Sequence, residues 1–121
     1  MRKLEKKIIK RAIRSIVCSP FSYNFYKETQ LIGLNGEAIL SKSNHYTKKS
    51  FHTLKKLNFY ENEFRWLIKV GVLRREVDGQ GLTSKVRLTP LGRQIFAIHP
   101  TLTAKRPSFK DKFLNWIKRL I

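Results

Sequence analysis

The fold of this chain is decided by the stretch Leu67-Ile68-Lys69-Val70-Gly71-Val72-Leu73-Arg74-Arg75, where a helical spacing of apolar residues gives way to a β pattern. The apolar residues around its start recur at three- and four-residue intervals and share one face of a predicted helix: Tyr60, Phe64, Leu67 and Ile68. Gly71 is expected to end this helix, because glycine adopts the left-handed conformation of a helix C-terminus at low cost.

Two short β-like runs follow this helix. Val72 to Val77 and Leu82 to Leu88 flank the turn residues Asp78-Gly79-Gln80-Gly81, which predicts an antiparallel hairpin. Thr89-Pro90 combines an N-cap with a residue suited to the first helical turn. The next helix therefore runs through Leu91, Ile95 and Ile98 and stops at Pro100.

Helix, helix, hairpin and helix in this order indicate a winged helix-turn-helix, so the predicted fold class is mainly α with a small β-hairpin (α+β). The end of the hairpin, Val86-Arg87-Leu88-Thr89-Pro90-Leu91-Gly92, resembles the recurring winged-helix pattern. The segment from Trp66 to Arg93 also resembles a family of small uncharacterised cyanobacterial proteins that share the core Leu73-Arg74-Arg75-Glu76-Val77-Asp78-Gly79-Gln80-Gly81. This resemblance implies fold and lineage, and it implies no activity.

The region before this unit predicts several helices. An amphipathic first helix has its apolar side at Leu4, Ile8, Ile9, Ala12, Ile13, Ile16 and Val17. Ser19-Pro20 is expected to cap a second helix that carries Phe21, Phe25 and Tyr26 inward and ends near Gly33, Asn35 and Gly36.

The next segment gives weaker signals. One short turn is expected over Glu37 to Leu40, followed by a polar, basic loop from Ser41 to Lys49. Ser50 then caps a short helix carrying Phe51, Leu54 and Leu57, which Asn58 interrupts.

The chain is expected to hold one domain with a helical extension. Residues 1–100 form the winged-helix domain with its N-terminal helices, and residues 101–107 form a linker. Residues 108–121 form a basic amphipathic helix capped by Ser108, whose apolar side carries Phe109, Phe113, Trp116, Ile117, Leu120 and Ile121.

The formal net charge of +18 points to a polyanionic partner, because so much like charge repels itself unless negative charge is near. The excess lies mainly in three segments: Met1 to Val17 (+6), Ser41 to Asn58 (+5) and Lys105 to Ile121 (+5). We therefore expect a non-enzymatic nucleic-acid-binding protein, a DNA-associated regulator, with DNA favoured over RNA.

The expected nucleic-acid-binding residues follow from the way a winged helix places one helix in the major groove and its hairpin on the backbone or minor groove. The candidates on the helix are Asn62, Arg65 and Lys69, whose alternative is a merely solvated polar face. Gln80 at the turn is placed to reach a base or a sugar, and phosphate contact falls to Arg74, Arg75, Lys85 and Arg87. A further patch, which could equally be a solvated helix edge, contains Lys48, Lys49, Lys55 and Lys56.

Acidic residues in the same unit favour a rival hypothesis, a non-enzymatic winged-helix protein-interaction module that is either free or peripheral to an anionic membrane. They are Glu61, Glu63, Glu76 and Asp78, and they would repel phosphates if they faced the same way. Trp66 lies off the apolar stripe and is either exposed or packed beneath the N-terminal helix. Burial is favoured, because a large aromatic side chain is usually mostly buried.

The basic amphipathic helix at the C-terminus leaves three alternatives open: docking on its own domain, a homodimer, or binding to an anionic membrane surface. An acidic protein is a further candidate partner. Docking or dimerisation is the default, since Leu114 widens the apolar side and Asp111 interrupts the basic side.

Catalysis has no support in the sequence. His45, His52 and His99 lack ligand-like spacing, and Cys18, the single cysteine, has no evident base partner and is expected to be a small buried side chain. We expect no catalytic residues, no metal site and no cofactor. With no secretory signal and no stretch of ~20 apolar residues, the expected location is cytoplasmic (nucleoid-associated) or plastid stroma, with the protein soluble or peripheral.

Overall fold

The computed structural model describes residues 3–54 and 56–121, and the chain is mainly helical with one antiparallel hairpin. The helices are α1 (Lys3–Cys18), α2 (Tyr23–Glu28), α3 (Gly36–Ser41), α4 (Ser43–Tyr46), α5 (Leu57–Lys69), α6 (Pro90–Ile98) and α7 (Phe109–Leu120). The strands are β1 (Leu73–Asp78) and β2 (Gly81–Leu88), and short 3-10 turns lie at Lys49–Phe51 and Leu102–Ala104.

The predicted hairpin is confirmed. β1 and β2 pair antiparallel from Leu73 opposite Leu88 to Asp78 opposite Gly81, with an irregularity between Arg75 and Val77. Gly71 lies just beyond α5 with φ at 87°, the left-handed conformation that its position predicts. Thr89 caps α6 as expected, because its side chain accepts a hydrogen bond from the backbone N–H of Gly92 at 3.1 Å.

A third extended segment joins the hairpin. Leu34 pairs antiparallel with Val86 of β2 through two backbone hydrogen bonds of 3.1 and 2.8 Å. The order across this small sheet is therefore Leu34, β2, β1. This pairing connects the turn between α2 and α3 to β2, the strand that lies between Leu34 and β1.

The predicted start of the second helix was wrong by three residues. α2 begins at Tyr23 after an N-cap at Ser22, while the Ser19 hydroxyl bonds back to the carbonyl of Ile16 at 2.8 Å. The intervening Phe21 is extended and forms a β-bridge with Thr47. This long-range pairing holds the backbone out of the helical conformation that the Ser-Pro signal favours.

The segment between the second and fifth helices also differs from expectation. Asn35, predicted to end a helix, instead caps α3 by accepting a hydrogen bond from the Ala38 N–H at 2.9 Å. The predicted loop over Ser41 to Lys49 contains α4, with Tyr46 buried. Ser50 lies in a 3-10 turn, and Asn58 lies inside α5 rather than breaking a helix.

The core is an aromatic cluster beneath α1 and α5. Phe21, Phe25 and Phe64 stack with ring centroids 4.2 to 5.9 Å apart, and Tyr26 and Tyr60 close the cluster. Trp66 is only 8% exposed and packs beneath α1, where its indole N–H donates to the Ser15 hydroxyl at 3.1 Å. This is the favoured of its two predicted positions.

Candidate nucleic-acid interface

α5 presents one narrow polar stripe to solvent. Its exposed side carries Asn58, Asn62, Arg65 and Lys69, while Tyr60, Phe64 and Leu67 are buried in the core. The Arg65 guanidinium donates to the Asn62 side-chain oxygen at 2.7 Å, so the two side chains are held side by side. The three predicted base-contacting residues of the helix therefore lie on one accessible face.

The hairpin divides its cations between two faces. Arg74 lies opposite Arg87 in the strand register, and by alternation Lys85 shares their side of the sheet. Arg74 and Lys85 are exposed, as is Gln80 in the tight turn. Arg87 is held by the Gln30 carbonyl at 2.8 Å and by Glu76 at 3.8 Å.

Arg75 points the other way, toward α5. Its guanidinium pairs with Glu61 at 3.3 Å, donates to the Ser84 carbonyl at 2.9 Å and lies 6.0 Å from the centroid of the Phe64 ring. Arg75 and Arg87 therefore join elements of the fold, and the exposed cations of this unit include Arg65, Lys69, Arg74 and Lys85.

Each acid that argued against phosphate contact is bonded within the protein. Glu61 pairs with Arg75, Glu76 with Arg87, and Glu63 with Arg119 of α7 at 2.5 Å. The Asp78 carboxylate accepts the backbone N–H of Gln80 at 2.7 Å inside the turn. With Glu61, Glu63 and Glu76 paired to arginines, Arg65 and Lys69 on α5 and Arg74 and Lys85 on the hairpin are exposed cations.

The Glu63 carboxyl is the most buried of these acids. Desolvation raises its pKa, and the adjacent Arg119 guanidinium acts in the opposite direction. Arg119 also lies 5.6 Å from the centroid of the Trp66 ring. Glu63 is thus a structural anchor for α7.

The predicted lysine patch separates into different environments. The Lys48 ammonium donates to the carbonyls of Val17 at 2.8 Å and Ile16 at 3.4 Å, so it binds backbone carbonyls in the last turn of α1. Lys49 and Lys56 are exposed. Lys55 lies outside the described residues.

Lys48 makes stability depend on pH. Burial lowers its pKa from 10.5 to about 8, so between these values the unfolded chain binds more protons and the unfolding free energy rises with pH. We expect the unfolding free energy of the wild type to rise relative to that of Lys48→Met by at most about 1.4 kcal/mol per pH unit over this window, measured by denaturant unfolding. A pH-independent difference contradicts this. Subtracting the Lys48→Met value removes the contribution of tyrosine titration to the unfolding free energy, because both chains carry the same tyrosines.

An open cleft of about 1180 Å³ lies between the end of α1, the Lys48–Phe51 segment, residues 103–107 and α7. Cations on its walls include Lys49, Lys105, Arg106 and Lys112, and Trp116 contributes an aromatic surface. Sequence reasoning placed these residues in separate segments. The charge excesses of 41–58 and 105–121 were the available signal, and only the fold brings them together.

Histidine and cysteine chemistry is limited in the described part of the chain. His45 bonds to Glu28, and the His52 ring lies 3.0 Å from the Thr47 carbonyl. Within residues 3–54 and 56–121, no three His, Cys, Asp or Glu side chains form a metal-ligating group. Burial and, to a lesser extent, Asp111 raise the pKa of the Cys18 thiol, which disfavours a reactive thiolate.

Comparison with known proteins extends the likeness seen in the hairpin. A family model described as Npun_F0494-like matches residues 2–119. The chain belongs to this family. The Npun_F0494-like family is uncharacterised and named after a cyanobacterial gene, so the likeness first seen from Trp66 to Arg93 covers nearly the whole chain. No curated protein and no solved structure matches this chain.

Among the described helices, none has the length and apolar character to cross a membrane.

Proposed function

We propose that this Npun_F0494-like protein is a non-enzymatic winged-helix regulator that binds duplex DNA. In this proposal α5 enters the major groove, and the β1–β2 hairpin is the wing. Asn62, Arg65 and Lys69 meet base edges or phosphates, and Arg74, Lys85 and Gln80 meet the backbone beside them. Such a protein works at the nucleoid, in the cytoplasm or the plastid stroma.

The order of elements supports this proposal. Leu34, between α2 and α3, forms a β-bridge with the second hairpin strand, at the place where a winged helix has its first strand. One feature departs from the usual pattern. Residues 42–56 separate α3 from α5 and include α4, whereas a helix-turn-helix usually has a tight turn there.

The single observation that carries the proposal is the internal pairing of Glu61, Glu63 and Glu76. It removes the main objection to phosphate contact by α5 and leaves exposed Arg and Lys side chains on this surface. Duplex DNA is favoured over duplex RNA, because the major groove of A-form RNA is too deep and narrow for side chains to read.

A salt titration of binding tests the proposal directly. Contact of Arg65, Lys69, Arg74 and Lys85 with phosphates gives a plot of log Kobs against log salt with a slope of about −3.6 or steeper for duplex DNA. We expect weaker binding to single-stranded RNA at every salt concentration, measured by fluorescence anisotropy. Absent binding to DNA at low salt, or tighter binding to RNA, would refute the proposal.

A further inference from the structure

α7 presents its most apolar side to solvent. Phe109, Phe113, Trp116 and Leu120 follow one another at four-, three- and four-residue intervals and form one stripe, which we call the α7 stripe. Their exposed fractions are 85%, 48%, 59% and 68%. An aromatic stripe of this length is unusual on a surface that faces only water.

The helix is attached to the body through its polar edge. Arg119 reaches Glu63 and Trp66, and Asn115, one turn earlier on the same side, has a buried side-chain oxygen. Arg119 and Asn115 face the body, Trp116 and Leu120 border the cleft beside it, and Phe109 and Phe113 lie outside the cleft lining. The four residues of the α7 stripe are therefore left exposed by the fold, whereas Leu114 and Ile117 on the predicted apolar side are half-buried.

Positive charge surrounds the α7 stripe. Lys110, Lys112 and Lys118 are exposed on the same helix, and Lys105 and Arg106 are exposed just before it. Trp116 and Leu120 also line the basic cleft, so the stripe continues into a concave surface with further cations, among them Lys49. Apolar and cationic surfaces are thus continuous.

We propose that the α7 stripe and the adjoining basic cleft dock this protein on the surface of an anionic phospholipid bilayer. The aromatic side chains enter the boundary between headgroups and acyl chains, and the lysines meet lipid phosphates. A second copy is a poorer occupant, because it would bring two lysine-rimmed surfaces of the same sign together. The proposal goes beyond DNA binding and does not depend on it.

Trp116 provides a built-in probe. The only other tryptophan, Trp66, is buried beneath α1, so Trp116 dominates any change in emission on binding. Adding vesicles of phosphatidylglycerol and phosphatidylcholine is expected to shift the emission to shorter wavelength, and vesicles of phosphatidylcholine alone to leave it unchanged. Trp116→Phe should abolish the shift while cosedimentation with anionic vesicles persists.

Paired variants separate the stripe from general surface hydrophobicity. Phe109→Ser with Phe113→Ser is expected to weaken partition into anionic vesicles at least about tenfold, since two large apolar side chains lose their burial. Leu31→Ser with Ile32→Ser removes two exposed apolar residues from the turn after α2 and is expected to leave partition unchanged. Duplex DNA binding should be the same for all these chains.

Three results would overturn the proposal. One is the absence of binding to anionic vesicles, and another is an equal loss of binding in both paired variants. The third is a wild-type dimer in sedimentation velocity that only Phe109→Ser with Phe113→Ser dissociates, which would assign the stripe to a second copy. If the wild type does not bind duplex DNA, the proposed regulatory function is refuted, and the vesicle result still decides the membrane proposal.

Discussion

Replacing Arg65, Lys69 and Lys85 together by Ala is expected to lower affinity for duplex DNA on the order of a hundredfold at 0.1 M salt, because three phosphate contacts are lost. The slope of log Kobs against log salt should fall by up to about three. All three side chains are exposed, so the fold should persist. Fluorescence anisotropy over a salt series measures both quantities.

A matched control tests whether position or total charge matters. Lys27→Ala, Lys42→Ala and Arg93→Ala remove the same charge from exposed positions on α2, the segment between α3 and α4, and α6. This chain should keep most of the affinity and the steeper slope. Equal losses in the two triple variants would show that net charge alone attracts DNA, and α5 with its hairpin would no longer be the interface.

Trp66→Ala is expected to lower the free energy of unfolding by about 3–5 kcal/mol. The substitution leaves a cavity between α5 and α1 and deprives the Ser15 hydroxyl of its buried partner. It also removes the ring against which the Arg119 guanidinium lies. Urea denaturation followed by circular dichroism measures the effect.

Trp116→Ala is the matched control, because it removes the same side chain from an exposed position. It should change the free energy of unfolding by less than about 0.5 kcal/mol. Trp66→Phe should fall between the two, since it keeps most of the apolar volume and loses the indole hydrogen bond. A cost below about 1 kcal/mol for Trp66→Ala would mean that the α1–α5 contact is not an important part of the core.

The C-terminal half of the fold was predictable because its signals are local. Gly71 must adopt a positive φ, Thr89 caps α6, and Ser108 caps α7 in a full capping box with Asp111. Each of these signals needs only residues within a few positions. The hairpin between them follows from alternation and a turn of fixed length.

The N-terminal half was less predictable because distant contacts override local preference. Phe21 is held extended by Thr47, 26 positions later in the numbering, although Ser19-Pro20 resembles a helix start. Asn58 is retained within α5 because that helix buries Tyr60 and Phe64 in the aromatic cluster. Neither constraint can be seen in a short window of sequence.

The sequence predicted which face of α5 the candidate residues occupy, but it did not predict which side chains pair with one another. Asn62, Arg65 and Lys69 share an exposed stripe, as helical spacing requires. Sequence spacing could not show that Arg75 pairs with Glu61 or that Lys48 serves the end of α1. These pairings depend on residues 14 and more than 30 positions apart.

The attachment of α7 through Arg119 also predicts the order in which the helices unfold. α7 buries no residue of its own, whereas α5 buries five, so the two helices belong to different cooperative units. We therefore expect the amide protons of α7 to exchange with solvent by local unfolding of that helix, at a lower free energy than the amide protons of α5 require. The last helix is thus expected to unfold before the rest of the domain.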